Sequence, residues 1–146
     1  MANCILCEEG TRYEDGILVW RGDDCRVVLV HDMNLPGFSR IIWNRHFKEM
    51  TELSFVEREL LMTIVFAVEG AVREVMKPDK VNLASLGNQA PHLHWHVVPR
   101  FLDDAFFPDS IWSNRVRDTA NDVLERRRTL ALALPAAIRA AISQLY

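Results

Sequence analysis

Three histidines at alternate positions, His92, His94 and His96, constrain this sequence more than any other feature. Apolar residues fill the gaps and follow the run, and alternation with a period of two is typical of a β-strand. The pattern predicts a strand over residues 91–100 with all three imidazoles on one face. Because the chain has only five histidines, three of them in one strand indicate a function rather than a chance scatter.

Strand geometry bears on what these rings could do. Residues two apart on a strand are separated by about 6.6 Å, so His92 and His96 start roughly 13 Å apart. A zinc ion needs its ligand nitrogens at about 2.0–2.1 Å, which three residues along one straight strand reach only with difficulty. A row of imidazoles facing an elongated anion, with one ring attacking it, fits the geometry better.

His94, the middle ring, is the predicted nucleophile. A neutral imidazole attacks well near pH 7 because its ordinary pKa is about 6.5, and attack on an α-phosphorus gives a covalent nucleotidyl-imidazole that water then splits. The second ring nitrogen must then donate its proton to a fixed acceptor, such as a backbone carbonyl. His96 would stabilise charge on a phosphate oxygen, and His92 would brace His94 or bind a metal. This scheme requires no Mg²⁺.

The segment PHLHWHVV resembles the signature of the histidine triad (HIT) family of nucleotide hydrolases and transferases, and in particular the bacterial HIT-like diadenosine tetraphosphate hydrolases. The resemblance extends from about Cys4 to about Trp112. It implies a HIT domain over residues 1–112, with residues 113–146 as a C-terminal helical extension packed on the same domain. It also implies cleavage at the α-phosphate of a dinucleoside polyphosphate or an adenosine phosphoramidate, with His94 as the nucleophile.

A Cys-x-x-Cys pair, Cys4 and Cys7, lies near the N-terminus. Alone it is half a metal site, a redox pair, or two small buried residues. In the zinc-bearing members of the family, such a pair is joined by a histidine after the third strand and by the first triad histidine, positions that match His46 and His92. The resemblance therefore implies a structural Cys₂His₂ zinc site. The alternative for His46 is a polar residue at the approach to a helix.

The resemblance also implies contacts to the nucleotide. Relatives hold the ribose hydroxyls with an acidic residue that matches Asp32, beside His31, and bind phosphates with the loop before the triad strand, here Asn88 and Gln89, together with His96. Ordinary turn residues are the alternative at Asp32, Asn88 and Gln89. Ile5 and Leu29 are apolar side chains that could hold the base. Trp112 could cover the site or reach a partner subunit, and the alternative is a surface loop whose aromatic residues are buried.

The remaining pattern predicts an α+β fold, a mainly antiparallel five-stranded sheet with one long helix packed on it and extra C-terminal helices. Ser54 and Glu57 form a capping box near the start of the long helix. Besides the triad strand, the predicted strands are 17–20, 25–31, 38–43 and 80–86, and the predicted helices are 51–76, 114–128 and 135–145.

The charge and composition of the chain limit the classes of molecule that it is expected to bind. The formal net charge of −3 provides no general attraction to nucleic acid or to an anionic membrane, and no apolar run approaches the ~20 residues of a membrane span. The N-terminus lacks the features of a signal peptide, so we expect a cytoplasmic protein with reduced cysteines.

An AMP-containing nucleotide is the expected partner, and the resemblance implies a homodimer. Two rival functions are a nucleotide-binding module with little turnover and a zinc-dependent hydrolase that uses the histidines as ligands.

Overall fold

The computed structural model describes residues 4–7 and 16–145, and its centre is a five-stranded antiparallel sheet. The strands are β1 (Gly16–Arg21), β2 (Cys25–Val30), β3 (Ser39–Trp43), β4 (Lys80–Ala84) and β5 (His94–Arg100). They lie in the order β1-β2-β3-β5-β4, and each neighbouring pair is antiparallel. The triad strand is therefore next to the end of the sheet, between β3 and β4. This architecture confirms the predicted α+β fold.

Within residues 16–145, three α-helices accompany the sheet: α1 (Phe55–Met76), α2 (Asn121–Ala131) and α3 (Leu134–Ser143). The long helix starts later than the predicted residue 51, because Met50–Glu52 forms a separate 3-10 turn. The predicted capping box is confirmed, since the Ser54 side chain accepts from the backbone N–H of Glu57 and the Glu57 carboxylate accepts from the backbone N–H of Ser54. Among the described residues, no helix has the length and apolar character needed to cross a membrane.

All the helices that enter the main core pack on one face of the sheet. Alternate residues of the central strands, such as Ile41 and Val97, meet the apolar stripe of α1 there. Burying each large apolar side chain contributes about 1.5–3 kcal/mol. The buried stripe of α1 and its continuation in α3 consist of Leu61, Ile64, Val65, Val68, Val72, Leu134, Ile138 and Ile142. Because side chains alternate along a strand, His94 and His96 project from the opposite face.

The first C-terminal helix begins later than the predicted range 114–128. The preceding segment is held in an irregular conformation by bonds to the loop after β5. The Arg117 guanidinium donates to the backbone carbonyl of Asp104 at 2.7 Å, and the Thr119 hydroxyl donates to that of Asp103 at 2.7 Å. The local sequence pattern gives no sign of these tertiary contacts. They outweigh the helical propensity of the segment before α2.

A buried ion pair organises that same loop. The Arg100 guanidinium donates to both carboxylate oxygens of Asp104, at 2.8 and 3.1 Å, and both side chains are only 2% exposed. The carboxylate also accepts from the backbone N–H groups of Phe106 and Phe107. Because the pair is bidentate and its remaining lone pairs are used, it fixes the loop. The loop continues to Trp112, which it places on the histidine face of the sheet.

Candidate functional site

Two imidazoles, those of His94 and His96, lie side by side on the open face of β5. Their ring centroids are 4.8 Å apart and their planes are 81° apart. On β3 they lie opposite Ile42 and Arg40, respectively. The prediction of one strand over residues 91–100 carrying all three histidines is wrong at its start, because β5 begins at His94. The row of three is thus a pair, with His92 preceding the strand.

His92 stands apart because the backbone turns before β5. Its N–H donates to the Ala90 carbonyl at 2.8 Å, and the N–H of Leu93 donates to the Phe47 carbonyl at 2.6 Å. The His92 ring is 1% exposed, and its Nε2 lies 2.5 Å from the carbonyl oxygen of Trp43. A carbonyl can only accept, so the proton is on Nε2, and Nδ1 presents a lone pair.

That lone pair belongs to a cluster of four potential metal ligands. His92 Nδ1 is 3.4 Å from Sγ of both Cys4 and Cys7, and His46 Nδ1 is 3.3 Å from Cys7 Sγ. All four ligand atoms lie within 4.8 Å of one another. Zinc bonds of about 2.0–2.3 Å in a tetrahedron give ligand separations of about 3.3–3.8 Å. The three short separations lie in this range, and the four predicted residues supply a Cys₂His₂ ligand set. The Trp43 carbonyl holds His92 in the tautomer that a metal requires.

His94 is held in the tautomer that a nucleophile requires. Its Nδ1 lies 2.6 Å from the carbonyl oxygen of His92, so Nδ1 donates and Nε2 is left unprotonated. Burial lowers the pKa of His94, and the positive charge of Arg40 lowers it further, against the opposing effect of the backbone hydrogen bond. The Ser85 hydroxyl donates to the His94 carbonyl at 2.7 Å and anchors the backbone here. The ring is consequently neutral near pH 7.

His96 is also neutral, for related reasons. Burial is the largest cause that lowers its pKa to about 3, followed by repulsion from the His94 ring, which itself protonates at low pH, and from the positive charge of Arg40. Its Nδ1 is buried and has no hydrogen-bond partner among the described residues. The ring meets Trp112 edge-on, with centroids 4.9 Å apart. An uncharged ring that touches His94 on one side and an aromatic wall on the other can only act as a hydrogen-bonding group, not as a cation.

A cavity of about 330 Å³ opens beside the two rings. This volume is within the range of small-molecule sites. Gly87, at φ +80, forms the turn that closes one side. The predicted phosphate-loop residues and one predicted base contact are brought together here, and the lining consists of Ile5, Leu6, Arg40, Leu86, Gly87, Asn88, Gln89, Ala90, His94, His96 and Trp112.

Asp32, His31 and Leu29 are not brought to this cavity. They line a second one, of about 420 Å³, whose wall includes Arg128 of α2. The Asp32 carboxylate accepts from the backbone N–H of Asn34 at 2.9 Å, which is the behaviour of a turn residue. In this structure the predicted ribose contacts are thus separate from the histidine pair.

Sequence reasoning passed over Arg40 and Ser85. Arg40 is the one charged residue in the sequence segment FSRIIW, and the local sequence gives no other sign of its role. Its position opposite His96 depends on the pairing of β3 with β5, two strands far apart in the chain. Ser85 gives no signal, because its role depends on the carbonyl of His94 across a turn.

Comparison with known proteins adds evidence from sequence. The family model described as "HIT domain" matches residues 12–103. A curated relative named AP-4-A phosphorylase, from Mycobacterium tuberculosis (strain CDC 1551 / Oshkosh), is 30% identical over 109 residues, which are 70% of this chain and 56% of the relative. The chain therefore spans about half the length of the curated relatives it matches.

Solved structures show the same fold. A histidine triad protein from Bradyrhizobium japonicum is 29% identical, with a TM-score of 0.71, over 92% of this chain and 96% of that one. A zinc-bound histidine triad family protein from Mycobacterium smegmatis is 20% identical, with a TM-score of 0.62, over 98% of each chain. At the latter identity the likeness concerns the fold alone.

Proposed function

Because this chain belongs to the histidine triad (HIT) family, we propose that it is a nucleotide hydrolase or nucleotidyl transferase that acts at an α-phosphate through a covalent bond to His94. The observation that carries the proposal is the 2.6 Å hydrogen bond from His94 Nδ1 to the His92 carbonyl. It leaves Nε2 unprotonated in a cavity of substrate size. Geometry and tautomer together are the requirements for a nucleophilic imidazole.

In the first step, Nε2 of His94 attacks the α-phosphorus. The P–N bond forms as the P–O bond to the leaving group breaks, and the leaving phosphate departs with the electron pair. The imidazole gains positive charge, which the bond from Nδ1–H to the His92 carbonyl stabilises. His96 donates from Nε2 to an oxygen on the reacting phosphorus, since its Nδ1 is enclosed. Such a preplaced donor favours the transition state, where that oxygen is most negative.

In the second step, an oxygen nucleophile displaces His94 from phosphorus. Water gives a nucleoside monophosphate and a proton that passes to solvent, whereas inorganic phosphate gives a nucleoside diphosphate. The second outcome is a second candidate function because the curated relative is named a phosphorylase. In both cases the P–N bond breaks and the imidazole is restored, so the cycle needs no oxidant and no further cofactor.

The four-residue cluster would hold a structural zinc. Cys4, Cys7, His46 and His92 are the ligands, and the bound ion would tie the N-terminal segment to the residue before β5. When bound, zinc supplies no chemistry to the substrate and serves to fix His92, whose carbonyl orients His94. His92 therefore has a positioning role in this proposal.

For the substrate we propose a dinucleoside polyphosphate of the diadenosine tetraphosphate type, with an adenosine phosphoramidate as the close alternative. Asn88 and Gln89 would contact phosphates, and Ile5 would contact a base, since all three line the cavity with His94. The half-exposed Trp112 ring, next to His96, would form an aromatic wall. Asp32 and His31 could contact this substrate only if it reached the second cavity.

We also propose a homodimer. Strand β4 has no neighbour on its outer side within the described part of the chain, and unpaired strand edges are surfaces on which a second copy can add. On this strand, Leu83 is 38% exposed. Two-fold pairing of β4 edges would cover this side chain.

Product analysis tests the proposed reaction. With diadenosine tetraphosphate in ¹⁸O-labelled water, we expect AMP and ATP as products, with the label on the phosphorus of AMP. With added inorganic phosphate, ADP would replace part of the AMP as the product of the second step if the second candidate function operates. Two molecules of ADP from each substrate in the absence of phosphate, or the label in ATP, would contradict attack at the α-phosphorus.

A further inference from the structure

A permanently charged residue faces the histidine pair. Arg40 lies on β3 directly opposite His96 and lines the same cavity. Its guanidinium carbon is 5.4 Å from the centre of the Phe38 ring, a cation–π contact that helps to hold the group in place. Among the described residues that line this cavity, Arg40 is the one with a charge that does not titrate.

The position of Arg40 along the sheet distinguishes the reacting phosphate from its neighbours. His94 lies opposite Ile42, and His96 lies opposite Arg40. His96 is on the same strand as the nucleophile, whereas Arg40 is displaced from His94 both by two residues of strand, about 6.6 Å, and by one strand spacing, about 4.8 Å. A phosphorus bonded to His94 would lie nearer the nucleophile's level. The guanidinium is placed for a phosphate further along the substrate.

The charge of Arg40 matters because its neighbour supplies none. Burial lowers the pKa of His96 to about 3, so that ring is neutral near pH 7, whereas an arginine is always protonated. The chain as a whole has a formal charge of −3, so a polyanion needs a local positive group. A guanidinium binds phosphate oxygens through two parallel N–H donors.

We propose that Arg40 binds a phosphate of the leaving group and makes the site selective for polyphosphates over phosphoramidates. This inference rests on the proposed reaction at the α-phosphate. A phosphoramidate has one phosphate, which must occupy the position at His94, and its leaving group is an amine with no anion for Arg40 to bind. A dinucleoside polyphosphate presents further phosphates, and the departing one gains charge as its P–O bond breaks.

The substitution Arg40→Gln tests this selectivity through kcat/KM on diadenosine tetraphosphate and on adenosine 5′-phosphoramidate. Loss of a charge-assisted contact typically lowers binding by about 10- to 100-fold. We expect a loss of that size for the tetraphosphate and less than about threefold for the phosphoramidate. Arg40→Lys, which keeps the charge but loses the paired donors, should fall between wild type and Arg40→Gln on the tetraphosphate. The matched control is Arg126→Gln, which removes the same charge from an exposed position on α2 and should leave both values unchanged.

Equal losses on the two substrates would overturn the inference, since Arg40 would then act on the shared nucleotidyl group or on the fold. Unchanged selectivity in Arg40→Gln would overturn it as well. Wild-type protein that cleaves neither substrate would refute the proposed reaction, and equilibrium titration would then decide about Arg40. Adenosine 5′-tetraphosphate should bind about tenfold more weakly to Arg40→Gln, with AMP binding unchanged. Equal weakening of both ligands, or of neither, would remove Arg40 from phosphate recognition.

Discussion

Replacing His94 with alanine is expected to lower turnover of diadenosine tetraphosphate by about 10⁴-fold or more, because the group that bonds to phosphorus is lost. Neither neighbour can substitute for it. His96 lacks a fixed acceptor at Nδ1 among the described residues, and the Nδ1 lone pair of His92 faces Cys4 and Cys7. The measurement is the rate of AMP formation, with the unfolding midpoint determined on the same preparation.

The fold should survive this substitution. The His94 ring is buried, but it borders a cavity rather than the main core, so the expected cost is about 1–3 kcal/mol. The variant His94→Gly provides a sharper control, because imidazole added to the solution can occupy the vacated space and restore part of the activity. Turnover of His94→Ala within tenfold of wild type would remove His94 from the role of nucleophile.

The double substitution Cys4→Ser and Cys7→Ser is expected to abolish zinc binding and to lower the thermal unfolding midpoint by about 10 °C or more. Structural zinc contributes its binding free energy to folding, and in a chain of this size about 3 kcal/mol corresponds to roughly 10 °C. The measurements are the zinc content per chain and the unfolding curve. Cys25→Ala is the matched control, because Cys25 is buried in the main core and is not one of the four clustered ligands. It should keep its zinc.

Chelation of the wild-type protein separates a structural zinc from a catalytic one. If the zinc only positions His92, activity should fall in step with the loss of folded protein as a chelator removes the metal. A folded, zinc-free protein without activity would favour the rival zinc-dependent hydrolase. A wild-type protein that contains no zinc after purification and dialysis against zinc would contradict the metal site itself.

Local patterns were sufficient for most of the fold. The alternation in β5, the helical period of α1 and the Ser54 capping box each depend on residues within a few positions, so they predict elements directly. The start of α2 could not be predicted in this way. Arg117 and Thr119 bond to carbonyls of a distant loop, and no local propensity reports such a contact.

In the candidate site, too, features set by neighbouring residues could be predicted, and features set by distant contacts could not. The spacing of His94 and His96 placed both rings on one face, because a strand imposes it. The separation of His92 from that pair depends on backbone bonds to Ala90 and Phe47, which the histidine pattern does not contain. Arg40 lies beside the histidines because of the register in which β3 pairs with β5. The register between strands that are distant in sequence is set by the whole sheet.

The most direct test of the central claim is mass spectrometry of the protein quenched in alkaline denaturant during turnover of diadenosine tetraphosphate, conditions under which a phosphorus–nitrogen bond persists. We expect a mass gain of one adenylyl group on the peptide that contains residues 92–96, with fragmentation locating it on His94, and no such gain in His94→Ala. An adduct on His92 or His96, or an unmodified peptide throughout turnover in a quench shown to preserve an authentic adenylyl-imidazole, would contradict the account.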